Sequence, residues 1–125
     1  MTLLELAWLA GIVEGEGCFC FDKRCIKIAV AMTDQDVMER VGRLFGVPVT
    51  ARGPYPPGKK RVYGIQLYSN RAAGWMMTLY PFLGLRRSAK VRELLAIWKT
   101  QRSFRSHKLK TSHTSSSDTR ENRAA

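Results

Sequence analysis

Acidic residues, histidine and long apolar runs are what this sequence is short of. Ten Asp and Glu stand against 21 Lys and Arg in 125 residues, a formal net charge of +11 at pH 7. So little acid leaves a polyanion as the natural partner: DNA, RNA or an acidic membrane surface. No apolar stretch approaches the roughly 18 to 20 residues that a bilayer-spanning helix needs. Glu5 stands where a secretory signal would carry Lys or Arg. A soluble intracellular protein of the cytoplasm, nucleoid or an organelle is expected, with no membrane partner. Cysteine is limited to Cys18, Cys20 and Cys25. An odd number in a chain without secretory features implies reduced thiols, and Cys-x-Cys plus one more lacks the fourth ligand and spacing of a zinc site. The only two histidines, His107 and His113, fall near the C-terminus and read as solvated.

The apolar material present suffices for one core but not for two ordinary domains. Leu3, Leu6, Leu9, Ala10 and Val13 recur at helical spacing, with Gly15 and Gly17 as stop signals. From Cys18 to Met32 the period becomes two, with Ile26, Ile28 and Val30 on one side, which predicts a hairpin. Thr33 as N-cap, with Asp36 three positions on, opens a second helix that Gly46 ends. Strands near 47–52 and over Val62–Tyr68 follow, joined by a Gly/Pro-rich connection. Ser69 or Asn70 caps a third helix, Pro81 interrupts it, and Ser88 begins a last helix carrying Val91, Leu94, Leu95 and Trp98. The order αββαββα(α) predicts an α+β domain over residues 1–100, with a four-stranded antiparallel sheet, helices on one face and the other face open. The Ser-, Thr- and base-rich residues 101–125 predict a disordered basic tail.

Chemistry concentrates in Leu9–Gly17, reading LAGIVEGEG. Ala7, Gly11 and Gly15 form a small-residue stripe at successive i, i+4 positions, which admits a helix from another subunit or from the chain's own core. Glu14 and Glu16 lie at the negative end of the helix macrodipole, where carboxylates are disfavoured. A hard divalent cation would reverse that penalty, whereas two solvated glutamates beside a glycine cap are the plainer alternative. Gly15 and Gly17 flank Glu16, so a main-chain carbonyl can be exposed beside it.

LAGIVEGEG resembles the signature of the LAGLIDADG homing endonucleases, with identities at Leu9, Ala10, Gly11 and Gly17 and conservative changes between. Pro81–Arg87 is similar to the family's stretch leading into its late helix. The resemblance implies a saddle-shaped sheet and a site-specific double-strand DNA endonuclease of the kind that mobilises introns or inteins. With one motif per chain, it implies a homodimer on a roughly palindromic site, with Ala7, Leu9, Ala10, Gly11 and Glu14 at the interface. It makes Glu16 the metal-binding acid and the Gly15 carbonyl its helper, with Mg2+ or Mn2+ as cofactor. Arg86 falls where many members place an active-site base and is assigned to charge stabilisation. Glu16 stands where the usual acid is Asp, and Met32 stands near the end of the second strand, where several members carry Gln.

The alternation also directs Arg24, Lys27, Gln66 and Tyr68 to the open face, where an antiparallel ribbon fits the major groove. Arg52, Lys59, Lys60 and Arg61 are assigned to DNA backbone contacts, and Arg87 and Lys90 to DNA binding. Two rivals use the same features. A regulator or an RNA-binding splicing helper on this scaffold would give the acids no catalytic duty, and a basic structural or membrane-surface protein would leave the motif unexplained.

Overall fold

Thr2 starts the first helix. Its hydroxyl accepts a hydrogen bond from the Glu5 amide at 3.1 Å, and the Glu5 carboxylate accepts one from the Thr2 amide at 2.9 Å. This reciprocal capping box satisfies two of the donors that a helix start leaves bare, and the Thr2 hydrogen bonds hold the Glu5 carboxyl below its ordinary pKa. Helix α1 (Leu3–Glu16) passes without a loop into strand β1 (Gly17–Asp22). Only glycine permits so abrupt a junction, because a Cβ at position 17 would lie 2.6 Å from the Val13 carbonyl oxygen.

The computed structural model describes residues 1–54 and 58–124, with side chains through Arg105. Strand β2 (Cys25–Met32) follows β1 across a two-residue turn in which Lys23 and Arg24 both have positive φ, 49° and 68°. That backbone matches the twist of a hairpin but ordinarily selects Asn and Gly. Helix α2 (Gln35–Phe45) closes at Gly46, which is left-handed as its place after the helix requires. Strands β3 (Thr50–Arg52) and β4 (Val62–Tyr68), helix α3 (Ser69–Leu79), a 3-10 turn over Tyr80–Phe82 and helix α4 (Leu85–Ala124) complete the chain.

The strands form one antiparallel sheet in the order β1-β2-β4-β3. Its covered face presents Phe19, Ile26, Ile28, Val30, Ile65 and Leu67 to Leu9, Val13, Met38, Val41, Met76, Leu79, Val91 and Leu94 of the four helices. Phe45 and Trp75 meet edge to face, with ring centroids 4.8 Å apart. Each large aliphatic removed from water contributes about 1.5–3 kcal/mol before chain entropy is counted. Among the described residues no polar or charged side chain is buried.

The expected α+β order is what the chain adopts, with local corrections. Asp34, not Thr33, occupies the N-cap of α2, and it makes no side-chain capping bond. The third strand is shorter than 47–52, and α4 begins at Leu85 rather than Ser88. The core-facing part of α4 ends at Trp98. From Ser106 on, the tail expected over 101–125 lies outside the residues whose side chains are described.

Candidate nucleic-acid interface and acidic helix end

The uncovered face follows from strand register. Cys18 pairs with Ala29, which pairs with Gln66; Cys20 pairs with Lys27, which pairs with Tyr68; Ala31 pairs with Gly64, which pairs with Thr50. These partners share the face turned away from the helices, because the residues between them fill the core. Its middle is a shallow depression of about 200 Å³ floored by Ala29, Ala31 and Gly64, with Thr50, Arg52 and Gln66 at the margin.

Four polar side chains on this face pair with one another, Tyr68 with Gln66 and Lys27 with Asp22. Tyr68 Oη donates to Gln66 Oε1 at 2.6 Å. Lys27 Nζ reaches Asp22 Oδ2 at 3.4 Å and sits 5.6 Å above the Tyr68 ring. Partial burial lowers the Lys27 pKa, but the Asp22 hydrogen bond and Tyr68 outweigh it, so the ammonium lies above the usual lysine value. Burial pushes the Cys20 thiol up, with Cys18 adding to the effect.

Arg52, Lys59, Lys60 and Arg61 are all exposed around the β3–β4 connection, as expected for groups free to meet phosphate. Arg24 is exposed too, but it belongs to the β1–β2 turn and not to the alternation of the strand. Lys23 beside it, not singled out from sequence, shares the left-handed geometry. Two long basic residues where Asn-Gly is the easy choice was the sequence signal for it. Met32 does not face this surface: it packs against the core, and Ala31 occupies the exposed position near the strand end.

The second assembly is the junction of α1, β1 and α4. Glu16 is the last helical residue, exposed, and among the described residues it has no hydrogen-bond or ion-pair partner. Gly11 and Gly15 are exposed, and a Cβ at either would meet no atom within 4 Å. Between β1 and α4 lies a cleft of about 500 Å³ lined by Gly17, Cys18, Phe19, Arg86, Arg87, Ala89, Lys90 and Glu93. Arg86 is exposed there, and Lys90, also exposed, pairs with Glu93 at 3.5 Å. Cys18 belongs both to this cleft and to the open sheet face, so the two assemblies are continuous.

Several interface and contact expectations need correction. Leu9 and Ala10 are 0% and 2% exposed within the single chain, so their surface is already spent on its own core and is closed to a partner. Glu14 turns toward α4, where its carboxylate accepts the Gly84 amide at 3.3 Å and faces Arg87 Nε at 3.8 Å. Arg87, expected to touch DNA, turns inward and donates to the Gly17 carbonyl at 2.6 Å. Conversely, Leu4 is 83% and Leu85 93% exposed, and sequence reading assigned neither to a surface.

No protein-family model and no curated protein matches the chain. Solved structures do. The homing endonuclease I-CvuI, in complex with the I-CreI target and 2 mM Mg with the DNA not cleaved, aligns with a TM-score of 0.57 at 21% identity. The alignment covers 77% of this chain and 66% of that one. I-CvuI in complex with its own target and 2 mM Ca gives the same values. The archaeal intron-encoded homing endonuclease I-Vdi141I, complexed with DNA, aligns at a TM-score of 0.50 and 14% identity over 70% of this chain and 63% of that one. The chain thus spans slightly less than two thirds of the length of these proteins, and at such identities the likeness establishes a shared fold.

Proposed function

We propose that the chain is a LAGLIDADG-type homing endonuclease that cuts double-stranded DNA, as a homodimer, at a roughly palindromic site. The observation that carries this reading is the exposed Glu16 at the end of α1, without a partner among the described residues and one residue before a basic cleft that opens onto a bare antiparallel sheet face. A carboxylate with no partner among the described residues, at the negative end of a helix, calls for a cation or another positive group.

The donor chemistry suits magnesium or manganese. Glu16 and the Gly15 carbonyl offer hard oxygen ligands at a position bare of side chain. Among the described residues no three of His, Cys, Asp and Glu come together, so one chain supplies too few ligands. A second copy's Glu16 and the DNA phosphates would supply the remainder. Such ions, when bound, activate water toward phosphorus and stabilise the leaving oxygen. Arg86 would stabilise the charge that builds on the phosphate. Lys27, Gln66 and Tyr68 would meet base edges in the major groove, with Arg24, Arg52, Lys59, Lys60, Arg61 and Lys90 on the backbone.

Support for the homodimer comes from α1. The helix is apolar around most of its circumference, yet its own chain buries only Leu9, Ala10 and Val13 fully and Leu6, Trp8 and Ile12 in part. Leu4, Ala7, Gly11 and Gly15 run along the uncovered side. A helix apolar all round belongs inside a larger structure.

Ala31, at the exposed position near the end of β2, favours a second reading, a DNA- or RNA-binding module, because it offers no group to organise water. Selection of cleaved sequences from a randomised duplex library, with magnesium against EDTA, separates the two. The nuclease reading expects a roughly two-fold-symmetric consensus cut only with magnesium. Enrichment by binding, with no cut product under either condition, would replace it with the binding module.

A further inference from the structure

The end of α1 carries two carboxylates two residues apart, and the fold treats them in opposite ways. Glu14 accepts the Gly84 amide at 3.3 Å and faces Arg87 Nε at 3.8 Å, within ion-pair range but beyond hydrogen-bond reach. Glu16 has no partner among the described residues. No basic residue lies in the last turn of α1, so Arg87 of α4 brings the positive charge that this terminus lacks. Arg87 also grips the backbone: Nη1 donates to the Gly17 carbonyl at 2.6 Å, while the Gly17 amide donates to Val13 O. Both peptide groups of the residue that follows Glu16 are therefore held.

We propose that Arg87 and Glu14 form a positioning brace for Glu16. Arg87 fixes the helix-to-strand junction and neutralises Glu14, which leaves Glu16 as the carboxylate free to take a divalent ion; the inference rests on the nuclease reading above. Arg87 is not built as a phosphate contact. Its side chain is 14% exposed, its guanidinium lies 6.0 Å over the buried Phe19 ring, and its Nε is buried without a hydrogen-bond partner. Arg86, the neighbouring residue, is exposed and remains for DNA. Arginine suits the brace because its planar fork can bind a carbonyl with one nitrogen while its charge faces a carboxylate; a lysine ammonium serves both less well.

The test is calorimetric titration of Mn2+ into the full chain bound to a non-hydrolysable duplex of the selected sequence, for the parent, Arg87→Lys and Arg87→Met, at a temperature where all are folded. DNA affinity in Ca2+ across a salt series is measured alongside. The brace predicts Mn2+ affinity about tenfold weaker in Arg87→Met, the size typical of groups that orient a metal ligand, with Arg87→Lys in between. DNA affinity and its salt slope stay at parental values. If Arg87→Met does not fold, the intermediate loss in Arg87→Lys carries the prediction. Equal Mn2+ affinity in parent and folded variants overturns the brace alone. So does lower DNA affinity with a salt slope smaller by about one, which marks a phosphate contact. A parent that takes up no Mn2+ overturns both the brace and the nuclease reading.

Discussion

The two faces of the sheet are made by alternate residues of the same strands, yet they are built to different rules. On the covered face, Ile26, Ile28, Val30, Ile65 and Leu67 are all but inaccessible and belong to one apolar cluster. On the open face, Ala29, Ala31 and Gly64 make a low floor, with Gln66 bonded to Tyr68, Lys27 to Asp22, and Arg52 exposed at the margin. One face holds the molecule together, and the other presents an exposed polar surface whose loss should cost little stability. Neighbouring substitutions in one strand should therefore separate stability from binding.

The largest effect is expected from Leu67→Ala. It should cost about 2–5 kcal/mol in chemical denaturation, because it removes buried methyl groups and leaves a cavity. Gln66→Ala, the adjacent residue, should shift stability by no more than about 0.5 kcal/mol and relax base preference at one position per half-site by about 1–3 kcal/mol. Equal destabilisation by the two would break the comparison.

Gly17→Ala comes next. Its Cβ would press on the Val13 carbonyl and side chain, and about 1–3 kcal/mol of overpacking cost is expected in the same measurement. The turn offers a case of opposite sign. Arg24→Gly relieves a left-handed residue and should gain about 1 kcal/mol of stability. If Arg24 meets DNA, affinity should fall at the same time; a variant both more stable and equally tight would remove Arg24 from the contact surface.

The smallest effect concerns pH. Glu5 has its pKa lowered in the folded chain by hydrogen bonds from Thr2. A depressed carboxylate stabilises the fold above its unfolded pKa, and that contribution is lost as pH falls through the folded value. Thermal melts from neutral pH into the acid range should show Glu5→Gln converging with the parent at the acid end. A difference that persists unchanged there would mean that the capping box does not act through the charge.

The sheet was legible because period-two alternation in β2 and β4 leaves one side wholly apolar, and a one-residue slip would expose all of it. Gly46 and Pro81 were equally plain, since few residues take a left-handed cap or interrupt a helix so sharply. The motif helix was harder. Helical spacing groups Leu6, Leu9, Ala10 and Val13 on one stripe, and that stripe is the side that meets the core; the family resemblance implies Leu9 and Ala10 at an interface, although both are buried. The resemblance separates Arg86 from Arg87 by role, but as neighbours in a basic run both read as facing DNA. Only the meeting of residue 87 with residues 14 and 17 shows that one of them turns inward. Met32 misses by one residue: the resemblance places it at the family's polar position, whereas the alternation of Ile26, Ile28 and Val30 continues to Met32 on the core side and leaves Ala31 on the open face.

The uncovered side of α1 can be tested by a bulky change at Gly11, where a Cβ meets nothing in the single chain. Gly11→Leu should leave the fold intact and yield monomers in sedimentation. An unchanged dimer would take this helix out of the interface.

Glu16→Gln reaches the central claim most directly. The substitution keeps shape and removes charge from an exposed side chain with no partner among the described residues. Strand scission of the selected duplex in magnesium should disappear while DNA affinity stays within about twofold of the parent, as expected for a ligand to catalytic metal rather than a DNA contact. Cleavage by Glu16→Gln at the parental rate would contradict the account.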